Sequence, residues 1–242
     1  MIRTEERGAV TVVTIERPER RNAVDGPALT DLGAALDAAV ARRARVVVLT
    51  GAGGHFSAGA DLKALEDERF AASLRRVLDG LAGAPLCTIA AVEGAALGAG
   101  TQLAIACDLR VATPTARFGV PAARLGLMVD AATVQRLAAL VGGSVARAVL
   151  LAAEVLDGEA AHRLGLVSRL GDLEAALAWA DEVAALAPLT VAGHKLALER
   201  LTSPPARDAE VAAAFARAWA SADLAEGRAA FAERRSPVFR GE

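Results

Sequence analysis

Two stretches rich in glycine and alanine have the residue types and spacing to bind a ligand through the main chain. They are GAGGHFSAGADLK, residues 51–63, and EGAALGAGTQL, residues 93–103, and each joins an apolar strand-like run to a helix-like run. Small side chains allow a ligand close to the backbone, and the first turn of a helix leaves N–H groups unpaired. Two such donors aimed at one point would form an oxyanion hole, which polarises a carbonyl without any titratable side chain. Plain tight turns in an α/β core would give the same pattern.

Several other chemistries fit these stretches poorly. Each turn contains G-x-G, but Phe56 and Leu103 stand where a dinucleotide fingerprint needs its third glycine. Neither turn ends in the Gly-Lys-Ser/Thr of a phosphate loop, and Ser57 does not lie in a G-x-S-x-G hydrolase motif. The histidines, which are far apart and without metal-ligand spacing, are His55, His162 and His194. We therefore predict neither a metal nor a bound cofactor.

The composition is that of a globular protein rather than a nucleic-acid or membrane protein. Of the 242 residues 54% are hydrophobic, 27 Lys and Arg balance 29 Asp and Glu, and only 3% are aromatic. The chain thus has no basic surplus and few side chains on which bases could stack. No apolar run is long enough and free enough of charge to cross a bilayer, and the start MIRTEERGAV is charged where a signal peptide is apolar. We expect a cytoplasmic protein with no nucleic-acid partner and no membrane span.

The cysteines and one neighbouring acid are interpreted as structural. Cys87 and Cys107 both lie in apolar stretches, which predicts buried, reduced thiols. Asp108 follows Cys107 where a helix gives way to a strand, so we expect its carboxylate to accept hydrogen bonds from nearby backbone N–H groups.

The elements that must position the two turns alternate between strand and helix, which indicates an α/β core with parallel strands. Runs rich in β-branched or apolar residues predict strands at 8–17, 45–50, 84–94, 108–114 and 166–170. From Asp130 onward the pattern is mainly helical. We place a boundary near Pro188, giving a core of residues 1–188 and a helical region of residues 189–242. A short helical tail cannot bury its own apolar residues, so it packs on the core or on a neighbouring subunit.

Six segments together resemble the crotonase superfamily, the enoyl-CoA hydratase/isomerase family. They occur in the family's order over essentially the whole chain: RPERRNAV (17–24), HFSAGADLK (55–63), AAVEGAALGAGTQLAIACDLRVAT (90–113), FGVPAARLGL (118–127), LAAEVLDGEAAHRLGLVSRL (151–170) and FAERRSPVF (231–239). The resemblance implies a spiral of ββα units, a helical C-terminal trimerisation region, and a homotrimer or a hexamer of paired trimers. It also implies that the ligand is a coenzyme A thioester of fatty acyl metabolism.

The resemblance also places the oxyanion donors and the coenzyme A contacts. It implies that the donors are the backbone N–H groups of Ala60, in SAGAD, and Ala99, in LGAGTQ, where many relatives have glycine. Backbone at Ala58 would lie near the adenine and Lys63 near the phosphates. The weaker phosphate candidates are Arg21, Arg234 and Arg235, for which a solvated surface charge is the alternative.

Both acid–base residues of the resembled hydratases are missing. One glutamate follows the second oxyanion donor by three residues, where this chain has Gln102, and the other follows the proline of F-G-x-P, where it has Ala122. A positioned acid or base contributes about 10²–10⁴-fold to a rate, and glutamine cannot accept a proton at ordinary pH. We therefore predict a poor hydratase.

One carboxylate remains at a position that suggests chemistry. Asp130 lies eight residues past Ala122, where family members that shift double bonds have an acid. If it faces the acyl pocket, the apolar neighbours Leu127, Met128 and Val129 are expected to raise its pKa by desolvation. We favour isomerase-like proton transfer through Asp130, with Gln102 orienting a water or a carbonyl. Asp130 could instead only cap a helix, and the protein could instead bind acyl-CoA without catalysis.

Overall fold

The computed structural model describes residues 1–61, 69–125, 127–199, 213, 217 and 220–242, and these form a mixed α/β protein. The strands are β1 (Ile2–Arg7), β2 (Val10–Ile15), β3 (Val46–Gly51), β4 (Cys87–Val92), β5 (Ala95–Leu97), β6 (Leu109–Ala112), β7 (Arg117–Gly119), β8 (Val155–Asp157) and β9 (Arg169–Leu170). The α-helices are α1 (Gly26–Ala41), α2 (Arg69–Gly83), α3 (Ala99–Ala106), α4 (Ala131–Leu151), α5 (Gly158–Arg163), α6 (Leu173–Ala184), α7 (Pro188–Glu199) and α8 (Ala222–Glu233).

The main sheet confirms the predicted parallel core. Within the described residues its strand order is β1-β2-β3-β4-β6-β9, and every neighbouring pair is parallel except the antiparallel pair β1 and β2. β4 is buried along its whole length, as expected for a parallel strand covered on both faces. β3 lies directly beside β4, with Val46 opposite Cys87, so the segments that leave these two strands start at the same edge of the sheet.

Two predicted strands are shorter in the structure: the strand predicted at 8–17 is β2, Val10–Ile15, and the strand predicted at 166–170 is β9. Gly8 lies in a turn with φ +61°, and the charged residues before it form the exposed edge strand β1. A charged edge strand has no alternation of apolar and polar residues, so its sequence does not identify it. β9 is only the two-residue strand Arg169–Leu170.

A second, three-stranded sheet carries the chain from the main sheet into the helices. It has the order β5-β7-β8, and it makes β4-β5-α3 and β6-β7-α4 successive ββα units. Gly98 N–H donates to Gly119 O at 2.8 Å, and the buried Thr101 hydroxyl lies within hydrogen-bond distance of Ala96 O and Gly119 O. The start of α3 is thereby fixed to the second sheet.

Helices cover both faces of the main sheet. One apolar cluster joins β2 and β3 to α1, α2 and α3, and a second joins the opposite face to α6 through Ala176 and Ala180. Cys87 and Cys107 are free and buried, as predicted, and desolvation raises the pKa of each thiol to about 12.

The helix α4 is long and apolar enough, by length and composition, to pass as a membrane span. Gly142 interrupts it with φ +75° and ψ 159°, so two shorter helical arms meet at a kink. Each arm is shorter than the roughly 20 residues that a helix needs to cross a bilayer. Within the part of the chain described, α4 is therefore weak evidence for a span.

The helical C-terminal region is present, and its first helix is fixed to the core by a buried charge. Lys195 of α7 donates to Asp108 Oδ2 at 2.8 Å and to the carbonyl oxygens of Leu81 and Leu86 at 2.7 and 3.0 Å. Asp108 also accepts from Thr88 N–H at 2.7 Å, which confirms the predicted bond to nearby backbone.

Candidate active site

A cavity of about 1110 Å³ lies at the edge of the main sheet where β3 and β4 end. Both small-residue turns border it. The predicted residues on its lining are Ala58, Ala60, Ala99, Gln102, Ala122 and Asp130. The rest of the described lining is mostly apolar and includes Phe70 and Leu74 of α2. An apolar cavity with a few convergent polar groups is the usual form of a small-molecule site.

The two turns are held against each other by main-chain hydrogen bonds. Leu97 N–H donates to Ser57 O at 3.0 Å, and Ser57 N–H donates to Ala95 O at 2.8 Å. Gly59, with φ +109°, brings the first turn close to the second: a Cβ there would lie 2.7 Å from Leu97 O and 3.5 Å from Ala99 N. A Cβ on Gly100 would lie 2.3 Å from Ser57 O. Glycine is therefore required at both positions for the turns to approach.

Ala60 and Ala99, the two predicted oxyanion donors, both belong to the cavity lining. Ala60 lies opposite Val24 in an isolated parallel bridge. The hydrogen bonds of this bridge are made by the residues on either side of Ala60: Val24 N–H donates to Gly59 O and Asp61 N–H donates to Val24 O, each at 2.8 Å. Ala99 is the first residue of α3, where the helix supplies no acceptor. Neither N–H has an acceptor among the described residues.

The predicted coenzyme A contacts are only partly brought together. Ala58 lines the cavity, but its N–H donates to Arg21 O at 2.8 Å, so only its carbonyl and methyl groups are free for a ligand. Arg21 has φ +48° and is exposed, and the lining contains its neighbour Arg20 instead. Arg20 pairs with Asp61 at 2.5 Å. The short 3₁₀ turn at 18–20 decides which arginine faces the cavity, and the sequence alone does not show it.

Of the remaining basic candidates, one lies outside the described residues and two lie away from the described cavity lining. Lys63 lies outside the described residues. Arg235 donates to Glu226 at 2.6 Å and to Glu233 at 2.5 Å, and neither Arg234 nor Arg235 belongs to the described lining. The Arg235 guanidinium and Val238 N–H hold the pKa of the Glu226 carboxyl well down, to about 2.

Asp130 both lines the cavity and caps α4. Thr133 N–H donates to its Oδ1 at 3.0 Å, the Thr133 hydroxyl lies 2.8 Å from its Oδ2, and Arg75 of α2 donates to Oδ1 at 2.7 Å. Arg75 also holds Asp79, with Nε 2.8 Å from Oδ2. Arg75 and Thr133 were missed by sequence reasoning; only the Asp-x-x-Thr spacing at the start of α4 indicates the second of them.

The expected rise in the Asp130 pKa is wrong. Partial burial alone would raise it, but the hydrogen bonds from Thr133 and the charge of Arg75 outweigh burial and hold the pKa below its ordinary value. Two of the three apolar neighbours contribute little burial, because Leu127 is 45% exposed and Met128 is 88% exposed. Asp130 is therefore an ionised, hydrogen-bonded group at the cavity wall.

The two positions of the missing glutamates both border the cavity. Gln102 is 7% exposed on α3, and its side-chain amide lies 3.2 Å from the Thr133 hydroxyl. Ala122 lies in the 3₁₀ helix Pro121–Leu125. The carboxylates on the described lining are Asp61, which is paired with arginine, and Asp130. In the described ranges no group of three or more His, Cys, Asp and Glu side chains could hold a metal ion.

Comparisons with known proteins agree with this architecture. The family model described as enoyl-CoA hydratase/isomerase matches residues 5–242. A probable enoyl-CoA hydratase, echA6, of Mycobacterium tuberculosis is 39% identical over 248 residues, covering 100% of both chains. A 2,3-dehydroadipyl-CoA hydratase of Escherichia coli is 38% identical and covers 96% of this chain and 95% of its own. The crystal structure of an enoyl-CoA hydratase/carnithine racemase from Magnetospirillum magneticum superposes with a TM-score of 0.91 at 31% identity, covering 100% of this chain and 96% of that one.

Proposed function

Because the chain belongs to the enoyl-CoA hydratase/isomerase family, the crotonase superfamily, we propose that the large cavity binds a fatty acyl-CoA thioester. In this proposal the N–H groups of Ala60 and Ala99 converge on the thioester carbonyl oxygen. The observation that carries it is that neither N–H has an acceptor among the residues that the structure describes and that both residues border one mostly apolar cavity. The carbonyl would supply the missing acceptor, and the apolar lining would take the acyl chain.

Binding without efficient hydration is the activity that the geometry supports best. Hydration needs a base to activate water and an acid to protonate the α-carbon, and Gln102 and Ala122 supply neither. Asp130 does not replace them as an acid, since its pKa is lowered and its oxygens already accept from Thr133 and Arg75. The thioester cradle, by which we mean the proposed pair of N–H donors at Ala60 and Ala99, consists of main-chain groups and does not depend on these side chains.

The test compares a thioester with a ligand that lacks only the carbonyl. Titration calorimetry with butyryl-CoA and S-butyl-CoA measures what the carbonyl adds. Two hydrogen bonds of about 1 kcal/mol each predict a preference of about 30-fold for the thioester. Equal affinity of the two ligands contradicts the proposed cradle.

One backbone donor can be removed where the helix tolerates the change. Ala99→Pro deletes an N–H at the first position of α3, where proline is favoured, and should abolish the thioester preference. Glu174→Pro, in the first turn of the remote helix α6, is the matched control and should retain it.

Proton transfer through Asp130 is a second candidate, favoured by the position of this carboxylate on the same cavity wall. An ionised carboxylate near the α-carbon of a bound thioester could remove a proton to form the enolate that the two amides stabilise. Exchange of the α-hydrogens of butyryl-CoA in D2O, followed by NMR, tests this directly. Catalysed exchange that disappears in Asp130→Asn supports the isomerase-like chemistry, and no exchange in the unsubstituted protein removes it.

We also propose that the chain forms a homotrimer or a hexamer of paired trimers. Support comes from α4, an apolar helix most of which is not buried within the single chain. Light scattering after size-exclusion chromatography measures the mass, and a monomer would contradict the proposal.

A further inference from the structure

The hydroxyl of Thr133 lies between two groups that could both accept its proton. Its Oγ1 is 2.8 Å from Asp130 Oδ2 and 3.2 Å from the nearer atom of the Gln102 side-chain amide. A threonine hydroxyl carries one proton and two lone pairs. It can therefore donate to one neighbour only, and the other neighbour must donate to it or face it without a proton.

The Thr133 hydroxyl donates its proton to Asp130 and not to Gln102. The carboxylate is ionised because Arg75 and Thr133 N–H both donate to its Oδ1, at 2.7 and 3.0 Å, so Oδ2 can only accept. If the hydroxyl turned toward Gln102, two oxygens 2.8 Å apart would face each other with no proton between them. A hydrogen bond to an ionised acceptor is also about twice as strong as one between neutral groups.

This assignment fixes the direction of the Gln102 amide. The atom 3.2 Å from the Thr133 hydroxyl must be the amide nitrogen, which donates to the free lone pair of Oγ1. The nitrogen and oxygen of a glutamine amide are told apart only by such networks. The carbonyl oxygen then takes the other position. Among the described residues no buried side-chain polar atom lacks a partner, so this oxygen is accessible. Gln102 borders both the large cavity and a much smaller pocket beside Thr133, and only the large cavity has room for a ligand.

We propose that Gln102 presents this carbonyl oxygen to the cavity and so favours thioesters whose acyl chain carries a hydrogen-bond donor, such as a hydroxyl, close to the carbonyl. Gln102 follows Ala99 by three residues, so its side chain leaves the first turn of α3, the turn whose N-terminus carries the proposed oxyanion donor. Thr133 is the positioning residue that holds the amide in this direction. The inference rests on the proposed function, because it concerns the ligand of the same cavity.

The test measures affinity for three coenzyme A thioesters of equal chain length. Titration calorimetry compares 3-hydroxybutyryl-CoA, butyryl-CoA and crotonyl-CoA in the unsubstituted protein, and one added hydrogen bond predicts a preference of about 5- to 10-fold for the hydroxyl-bearing ligand. Gln102→Met keeps the shape of the side chain, removes the acceptor and should remove the preference. Thr133→Val should reduce the preference by freeing the amide, while Thr133→Ser should preserve it. Thr30→Val, at an exposed position of α1, is the control and should behave as the unsubstituted protein.

The outcomes separate this inference from the proposed function. Equal affinity for the three thioesters overturns the inference and leaves the thioester cradle intact. A preference that persists in Gln102→Met also overturns it, because another group would then be the acceptor. Failure to bind any of the three ligands overturns both proposals. A preference that is lost in Gln102→Met and Thr133→Val but kept in Thr133→Ser confirms the inference.

Discussion

Arg75 on α2 and Asp130 at the start of α4 form an ion pair of 2.7 Å across one side of the large cavity. The two residues are 55 positions apart in the chain, and the arginine also pairs with Asp79 on its own helix. The Asp130 carboxylate accepts from Arg75, from Thr133 N–H and from the Thr133 hydroxyl. The cavity wall at this point therefore contains charged as well as apolar side chains.

Asp130 should stabilise the protein as a helix cap. Asp130→Ala removes the acceptor of Thr133 N–H and should lower the free energy of unfolding by about 1 kcal/mol. Asp130→Asn keeps a capping oxygen and should cost less. Denaturant unfolding measures both variants, and equal stability of Asp130→Ala and the unsubstituted protein would refute the capping role.

The contribution of the Asp130 charge should depend on pH in one direction. Its folded pKa lies below the ordinary value of 3.8, so the stability that the carboxylate adds is fully present above that value. It is lost as the pH falls through the lower folded pKa. The stability difference between the unsubstituted protein and Asp130→Asn should therefore shrink only in this acid range. If the stability difference instead disappeared as the pH rises from 5 to 7, the folded pKa of Asp130 would be raised and not lowered.

Hydratase activity should be absent or slow in the unsubstituted protein and should be gained by restoring carboxylates. The double variant Gln102→Glu/Ala122→Glu places both acids at the cavity and should hydrate crotonyl-CoA at least about 10²-fold faster. Loss of the enoyl thioester absorbance follows the reaction. Gln102→Met/Ala122→Leu is the control without carboxylates. Rapid hydration by the unsubstituted protein would show that another group supplies the acid and the base.

Lys195 should be among the most costly side chains to remove. Lys195→Met removes the cation that pairs with Asp108 and the donor to two buried carbonyl oxygens, and breaking a buried ion pair costs about 3 kcal/mol or more. Among the described residues, the Asp108 carboxylate would keep only its hydrogen bonds from Thr88. Arg163→Met is the control, since Arg163 forms an exposed pair with Glu159 that contributes less than about 1 kcal/mol. Thermal and denaturant unfolding compare the two variants. Similar losses from both would contradict a special role for the buried lysine.

Gly100→Ala should damage the site by separating the two turns. The new methyl group would meet Ser57 O at 2.3 Å, and such overpacking costs about 1–3 kcal/mol. Because Ser57 belongs to the turn that carries Ala60, affinity for butyryl-CoA should fall as well. Gly83→Ala meets nothing within 4 Å and should change neither property. Normal binding by Gly100→Ala would show that the turns do not need this close approach.

The sequence predicts much of the main sheet and both turns because their signals are local. Runs of β-branched residues identify β3, and the small residues around Ala60 and Ala99 identify the turns. The partners of Asp130 and Asp108 are not local. Arg75 and Lys195 come from distant helices, and no periodicity links them to their carboxylates.

The error about the Asp130 pKa has the same origin. Leu127 and Met128 are neighbours of Asp130 in sequence, but they are exposed, while the charged Arg75 is its neighbour in space. The three-residue strands of the second sheet are also too short to give an alternating pattern. Sequence therefore locates the site better than it describes the electrostatics there.

The two candidate donors at the cavity are peptide groups, which every residue type except proline possesses. Mutation can exchange the side chains at 102 and 122 freely without erasing a peptide N–H at 60 or 99. In the proposed function, recognition of the thioester would thus be inherited separately from reactivity. A lineage can lose its reaction in two codon changes and still retain a receptor for the same class of metabolite.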